Sequence, residues 1–279
     1  MARLIDYKCK YAAYSGLSRE TAEAEGLRLP DALCSAEQLA KLAGSHAVLP
    51  FDPVLEAENL GARVTLDDSP LGPRKACDAV TSIEQLADLP RLDVTKGRLS
   101  ETISAIRLIN DGGGKASMEI HGPITILNGL ADMMMLLMKW RKNADIMAGF
   151  FTQMAEDLSD LAAAVHEAGA RIIYYADSPG SLDILGPKYA RQVTEQFTVP
   201  FLKLACEKTG PDCVIHLCPK TSFLLAGCGL AQWKKLQLER SMPYDDACLA
   251  ACGRVPILGQ RCRKDTDLAV SCINYLELL

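Results

Sequence analysis

The sequence predicts an α/β protein of the (β/α)8 barrel type, and three observations predict it. Short runs rich in β-branched and aromatic residues alternate with helical stretches over most of the chain, the pattern of a parallel sheet with a helix in each crossover. No Gly-x-Gly-x-x-Gly fingerprint follows a strand, which disfavours a doubly wound dinucleotide fold. The length of 279 residues suits one large barrel, and no linker rich in Pro, Gly or Ser divides it. Residues 1–279 therefore read as one domain, with 1–45 a helical N-terminal extension.

The elements follow in order. Ser18 opens a short helix to Glu25, and Ser35-Ala-Glu-Gln is a near match to a capping box that starts another. Residues 47–66 read as strand, turn, short helix closed by Gly61, and strand. Ser100–Ile109 is an amphipathic helix. The glycines 112–114 after it turn the chain into the strand Ala116–Ile120, and they lack the ending of a phosphate loop. Residues 131–148 and 150–168 predict two helices, the first with Met133, Met134, Met135 and Met138 as core filler. The run 171–176 is a strand that delivers Asp177, and Lys188–Lys208 is a helix bent near Pro200. Strands follow at 213–218, 236–239 and 255–259, with a helix at Tyr244–Ala251 and a last helix from Thr266 onward.

Composition excludes several functions. Thirty Lys plus Arg against thirty-five Asp plus Glu give a formal charge of -5 with no basic block, which argues against nucleic acid. The longest apolar runs are shorter than the roughly 20 residues of a membrane span. After Arg3 no apolar signal-peptide core develops, so a cytoplasmic protein is expected. Eleven cysteines are too few for a disulfide scaffold and odd in number, and free thiols are the expectation.

His216 and Cys218 carry the most chemistry. Two residues apart on a strand they share a face, and an imidazole beside a thiolate can supply two corners of a tetrahedral zinc site. The alternative is a packed histidine next to a buried cysteine. Cys262, shortly after the strand at 255–259, is the third candidate ligand at the same rim. Cys272 competes, although Leu268, Cys272 and Tyr275 have the spacing of one buried helix face. Asp177 at a strand end is either a catalytic carboxylate or a cap for the segment holding Ser178 and Ser181. His121, also at a strand end, is a weaker catalytic candidate. Glu56 and Glu58 fall on different faces of a short helix and do not read as a catalytic pair.

With these residues in view, the chain resembles the uroporphyrinogen decarboxylase superfamily, and within it the methylcobamide:coenzyme M methyltransferase branch. The matching fragments, in order, are Pro50-Phe51-Asp52 with Glu56, Glu58 and Gly61; Gly122-Pro123-Ile124-Thr125; Ala176-Asp177-Ser178; Pro200-Phe201-Leu202-Lys203; His216-Leu217-Cys218; and Ile257-Leu258-Gly259. The resemblance implies a barrel with its site at the C-terminal rim; Asp177 and His121 are the catalytic candidates there, and Gly122 and Pro123 the candidate cofactor contacts. It implies zinc on His216, Cys218 and a later cysteine, for which Cys262 stands here. The implied function is transfer of a methyl group between a corrinoid on a partner protein and a thiol or other small donor or acceptor, with a homodimer as one further expectation. The branch's last cysteine follows a final barrel strand, whereas this sequence reads as ending in a helix, so an open or trimmed barrel is expected. Before Tyr14 only Arg3 could meet a porphyrinogen carboxylate, which disfavours uroporphyrinogen itself as substrate. A cofactor-free decarboxylase on the same barrel, and a barrel that binds metal or a corrinoid protein without turnover, are the alternatives.

Overall fold

The computed structural model describes residues 7, 19–50, 52–69, 71–265 and 268–279. Arg3, Tyr14, Ser18, Phe51 and Thr266 lie outside the described residues. Three short helices lead in: α1 (Arg19–Ala24), α2 (Leu29–Ala32) and α3 (Ala36–Ala43). The last begins where expected because Ser35 caps it, its hydroxyl accepting from the Gln38 N–H. Strand β1 (His46–Leu49), helix α4 (Leu55–Asn59) and the small pair β2 (Val64–Thr65) and β3 (Arg74–Lys75) follow. A 3₁₀ turn at Ile83–Asp88 leads to α5 (Gly97–Asp111), β4 (Lys115–His121), α6 (Pro123–Leu130), α7 (Met133–Trp140), α8 (Ala144–Glu167) and β5 (Ile172–Ala176). Then come α9 (Leu182–Val193), α10 (Val199–Thr209), β6 (Val214–Leu217), α11 (Pro219–Gly227), β7 (Ala231–Pro243), α12 (Tyr244–Ala251), β8 (Ile257–Leu258) and β9 (Ala269–Leu278).

The central sheet runs β1-β4-β5-β6-β8-β9-β7. Its first five strands are parallel, and the last two pairings are antiparallel. The α/β class is as predicted. The sheet is open, with β1 and β7 as its edges, in line with the trimmed barrel. No described helix is long and apolar enough to cross a membrane.

Strand alternation sorts the core into two layers. On β4, Ala116, Met118 and Ile120 face the outer helices; Ile173 and Tyr175 on β5 and Ile215 and Leu217 on β6 do the same. The opposite face carries Ile172, Tyr174, Val214 and Leu258, which pack under α12 and the β7–β9 hairpin. In a closed barrel this second face would be the interior; here α12 and the hairpin cover part of it.

At the C-terminus one expectation fails and another is extended. The predicted last helix is the strand β9, which pairs with β7 over most of its length, and the strand predicted at 236–239 is part of the 13-residue β7. Buried Val270, Ile273 and Leu276 recur every third residue, which imitates a helix face, because β9 passes from one core layer to the other. Its Val, Ile and Tyr content suits a strand once β7 offers a partner. Elsewhere the helix predicted from Lys188 to Lys208 is α9 and α10 joined by a π turn at Thr194–Thr198, with Pro200 in the first turn of α10 where its missing N–H is harmless.

Gly259 ends β8 at φ +142°, and a Cβ there would lie 2.7 Å from the Leu217 carbonyl oxygen. Gly259→Ala is expected to cost about 2–3 kcal/mol, against about 1 kcal/mol for Gly253→Ala, which has φ +79° and open space. Urea unfolding of the two variants checks the difference.

Candidate functional site

The inner face of the parallel strands opens into a cavity of about 570 Å³. Its polar wall comes from residues that alternation turns inward: Ser117, Glu119 and His121 on β4, and Tyr174 on β5. Asp52 from the loop after β1, Asp245 from α12 and Arg263 from the loop after β8 complete it.

A chain of buried and half-buried charges runs along this wall. Glu56, fully buried on α4, accepts from the His121 backbone N–H at 2.9 Å and from its Nδ1 at 3.0 Å. Glu119 lies on the other side, 3.8 Å from the His121 Nε2. Burial opposes a charged imidazole, but Glu56, with Glu119 and Asp52, outweighs it and lifts the His121 pKa to about 9. At neutral pH His121 is therefore an imidazolium. Glu119 also accepts from the Arg263 Nε at 2.6 Å, and that guanidinium sits over the Tyr174 ring at 5.6 Å. Burial acts against the Glu119 carboxylate, yet Arg263 and His121 hold it below the usual range. Behind this row Arg98 on α5 bridges Asp52 at 2.9 Å and Glu58 at 2.7 Å. The three cations thus each face at least one carboxylate, which is what makes their burial tolerable.

Asp177 is placed differently from expectation. Its carboxylate accepts from the Thr125 N–H and hydroxyl, both at 2.8 Å, and from the Ile124 N–H at 3.3 Å. It caps α6, the helix after the preceding strand, rather than the segment holding Ser178 and Ser181. Burial pushes its pKa up to about 6 against those hydrogen bonds. Gly122 and Pro123 serve the same junction. A Cβ on Gly122 would overlap the Tyr175 hydroxyl and lie 2.5 Å from the Asp177 Cβ, and Pro123 occupies the first turn of α6. His121 does reach the cavity, as its strand-end position suggested.

The proposed metal ligands are not gathered. His216 is buried beneath α12, its Nε2 3.0 Å from the Tyr244 hydroxyl and its ring against Tyr174, and burial lowers its pKa to about 4. Cys218 has left the strand and stands at the N-cap of α11, its backbone N–H donating to the Tyr175 carbonyl. Cys262 lies in the loop after β8, and Cys272 sits on β9 opposite Gln237. Among the described residues no group of three or more His, Cys, Asp or Glu side chains is arranged to hold a metal ion. The neutral imidazole has the right form for a ligand, but the three-donor set His216, Cys218 and Cys262 does not fit zinc as built.

Glu56, Glu119, Arg98 and Arg263 were missed. Glu119 and His121 lie two apart on one strand, the same signal that singled out His216 and Cys218, and alternation alone would have found them. Glu56 carries no such local signal, because its partner lies 65 positions away on β4.

Comparison with known proteins adds to this geometry. Residues 32–260 match the family described as Uroporphyrinogen decarboxylase (URO-D). The chain is similar to the methylcobamide:CoM methyltransferase MtbA of Methanosarcina mazei, 27% identical over 228 residues, which cover 74% of this chain and 64% of that protein. It is similar to MtaA of Methanosarcina barkeri, 25% identical over 229 residues, covering 78% and 66%. The chain thus spans just under two-thirds of the length of these relatives. A solved methyltransferase from Methanosarcina mazei shares the fold at TM-score 0.61 and 22% identity, over 77% of this chain and 67% of that one.

The His121 pKa of about 9 in the native state lies above its unfolded value of about 6.5, so its contribution is complete below pH 6.5 and is lost as pH rises through 9. Urea unfolding of the parent should show a loss of about 3 kcal/mol across that window, and Glu56→Gln should flatten it. The raised carboxyl of Asp177 lowers stability as pH rises from about 4 to 6, a separate window, and the loss is complete above it. Protein incubated with zinc and gel-filtered should carry well below one equivalent, with Cys218→Ser unchanged; a full equivalent lost in His216→Ala would show that the three residues converge.

Proposed function

The chain belongs to the uroporphyrinogen decarboxylase (URO-D) family, and on that footing we propose that it is a methyltransferase acting between a methylated corrinoid, carried on a partner protein, and a small thiol. The observation that supports this most is the similarity to methylcobamide:CoM methyltransferases across three-quarters of the chain, beside a family match over residues 32–260 that spans β1, β4, β5 and β6 around the cavity. The thiol class is taken from the CoM in those relatives' names.

The methylated corrinoid supplies an electrophilic methyl group whose bond to cobalt breaks with both electrons left on the metal. The chain's own part is to hold the acceptor. A free thiol has a pKa of about 8.5 and is mostly protonated at neutral pH, so a nearby cation that favours the thiolate raises the reactive fraction. His121 and Arg263 are the cations at this end of the cavity, and their N–H groups orient an anionic acceptor. The thiol proton leaves through the cavity mouth to water, and the thiolate sulfur forms the new bond to carbon. Glu56 and Glu119 fix the imidazolium so that its position does not depend on substrate. Because His216, Cys218 and Cys262 are not gathered, no step is routed through zinc.

The test is anaerobic incubation with methylcobalamin and either CoM or 2-mercaptoethanol, with the methyl thioether measured by mass spectrometry. The parent should form it, at least tenfold faster than Arg263→Gln or His121→Asn. A folded parent that makes no thioether with either thiol would overturn the proposal.

A further inference from the structure

The cavity continues well past the end where His121 and Arg263 stand. Lys115, Ser117, Glu119 and His121 alternate along all of β4, and every one of them lines it. It therefore follows the strand from last residue to first, about 20 Å at 3.3 Å per residue. Between the ends Val48, Ile172, Tyr174 and Leu249 make the wall largely apolar. At the far end Lys115 stands beside His46, its register partner on β1, and both line the cavity while remaining exposed.

Charge is distributed unevenly between these ends. At the His121 end each cation faces a carboxylate: His121 has Glu56, Arg263 has Glu119 and Arg98 has Asp52 and Glu58. The carboxylates that line the cavity, Asp52, Glu119 and Asp245, belong to that end or to the start of α12. Helix α12 runs against the strands, since Cys252 at its C-terminal end reaches the Arg171 carbonyl just before β5, so Asp245 lies toward the strand C-termini. Lys115 forms no ion pair with a described residue. The His46 Nδ1 is 3.1 Å from the Ser45 hydroxyl, and no carboxylate faces it among the described residues.

We infer that the Lys115 end is an anion anchor, and that the cavity takes a linear, mostly apolar molecule with an oxyanion on Lys115 and His46 and its other end beside Glu119 and His121. The apolar wall stabilises the chain of such a ligand by burial, and the Lys115 ammonium, without an ion pair among the described residues, gives its oxyanion a charge-assisted hydrogen bond. The inference rests on the cavity being the substrate site and is independent of methyl transfer.

Calorimetric titration with decanoate and with 1-decanol, the same chain without the charge, tests it. Decanoate should bind the parent at least tenfold more tightly than 1-decanol. Lys115→Gln should lose at least fivefold for decanoate and nothing for 1-decanol, and His46→Gln should lose less. Absence of decanoate binding, equal affinity of parent and Lys115→Gln, or a loss confined to Arg263→Gln would each overturn the anchor. A protein that binds decanoate in this pattern yet transfers no methyl group would refute the proposed function and leave the anchor standing.

Discussion

The constraint on which this molecule depends is the alternation of β4. One set of its side chains, Ala116, Met118 and Ile120, is buried against the outer helices, so the other set must face inward whatever its polarity. That second set is Lys, Ser, Glu and His. Lys115 stays exposed, but enclosing Glu119 and His121 would be prohibitive without partners, and the rest of the inner face is organised to supply them: Glu56 from α4, Arg263 from beyond β8, and the Arg98 bridge that steadies Asp52. A one-residue slip would turn these charges into the outer core.

The two ends of the inner face are used differently. Toward β6 it is closed by Tyr244, Tyr174 and the apolar side of α12, and His216 is absorbed there as a neutral ring bonded to a phenol. Toward β1 it is left open, and the cavity forms. The open sheet underlies this asymmetry. With β1 as an edge and α12 laid across β5 and β6, the space of a barrel interior is divided into a packed half and a hollow half.

Asp177, a catalytic candidate from its place at a strand end, has a structural part in the fold. A carboxylate at a strand end is where barrel enzymes put chemistry, but its oxygens here accept two backbone N–H groups and a hydroxyl from the start of α6. Gly122 and Gly180 press against it so closely that side chains at either would collide with it. The fragments Gly122-Pro123-Ile124-Thr125 and Ala176-Asp177-Ser178, read separately in the sequence, are two halves of this one junction.

Local information was enough for much of the chain. The Ser35 cap, Gly61 after its short helix, the glycine turn before β4 and the helix at Tyr244–Ala251 were all legible, because caps, turns and periodicity act within a few residues. The α/β class followed from their sequence order. What the sequence by itself could not determine were matters settled between distant segments. The C-terminal residues became a strand because β7 presented an edge to pair with, and Glu56 met His121 across 65 positions because α4 packs beside β4. His216 and Cys218 parted because the strand ends at Leu217 and α11 begins at the next step. Each of these outcomes depends on which surfaces meet, and spacing along the chain carries no record of that.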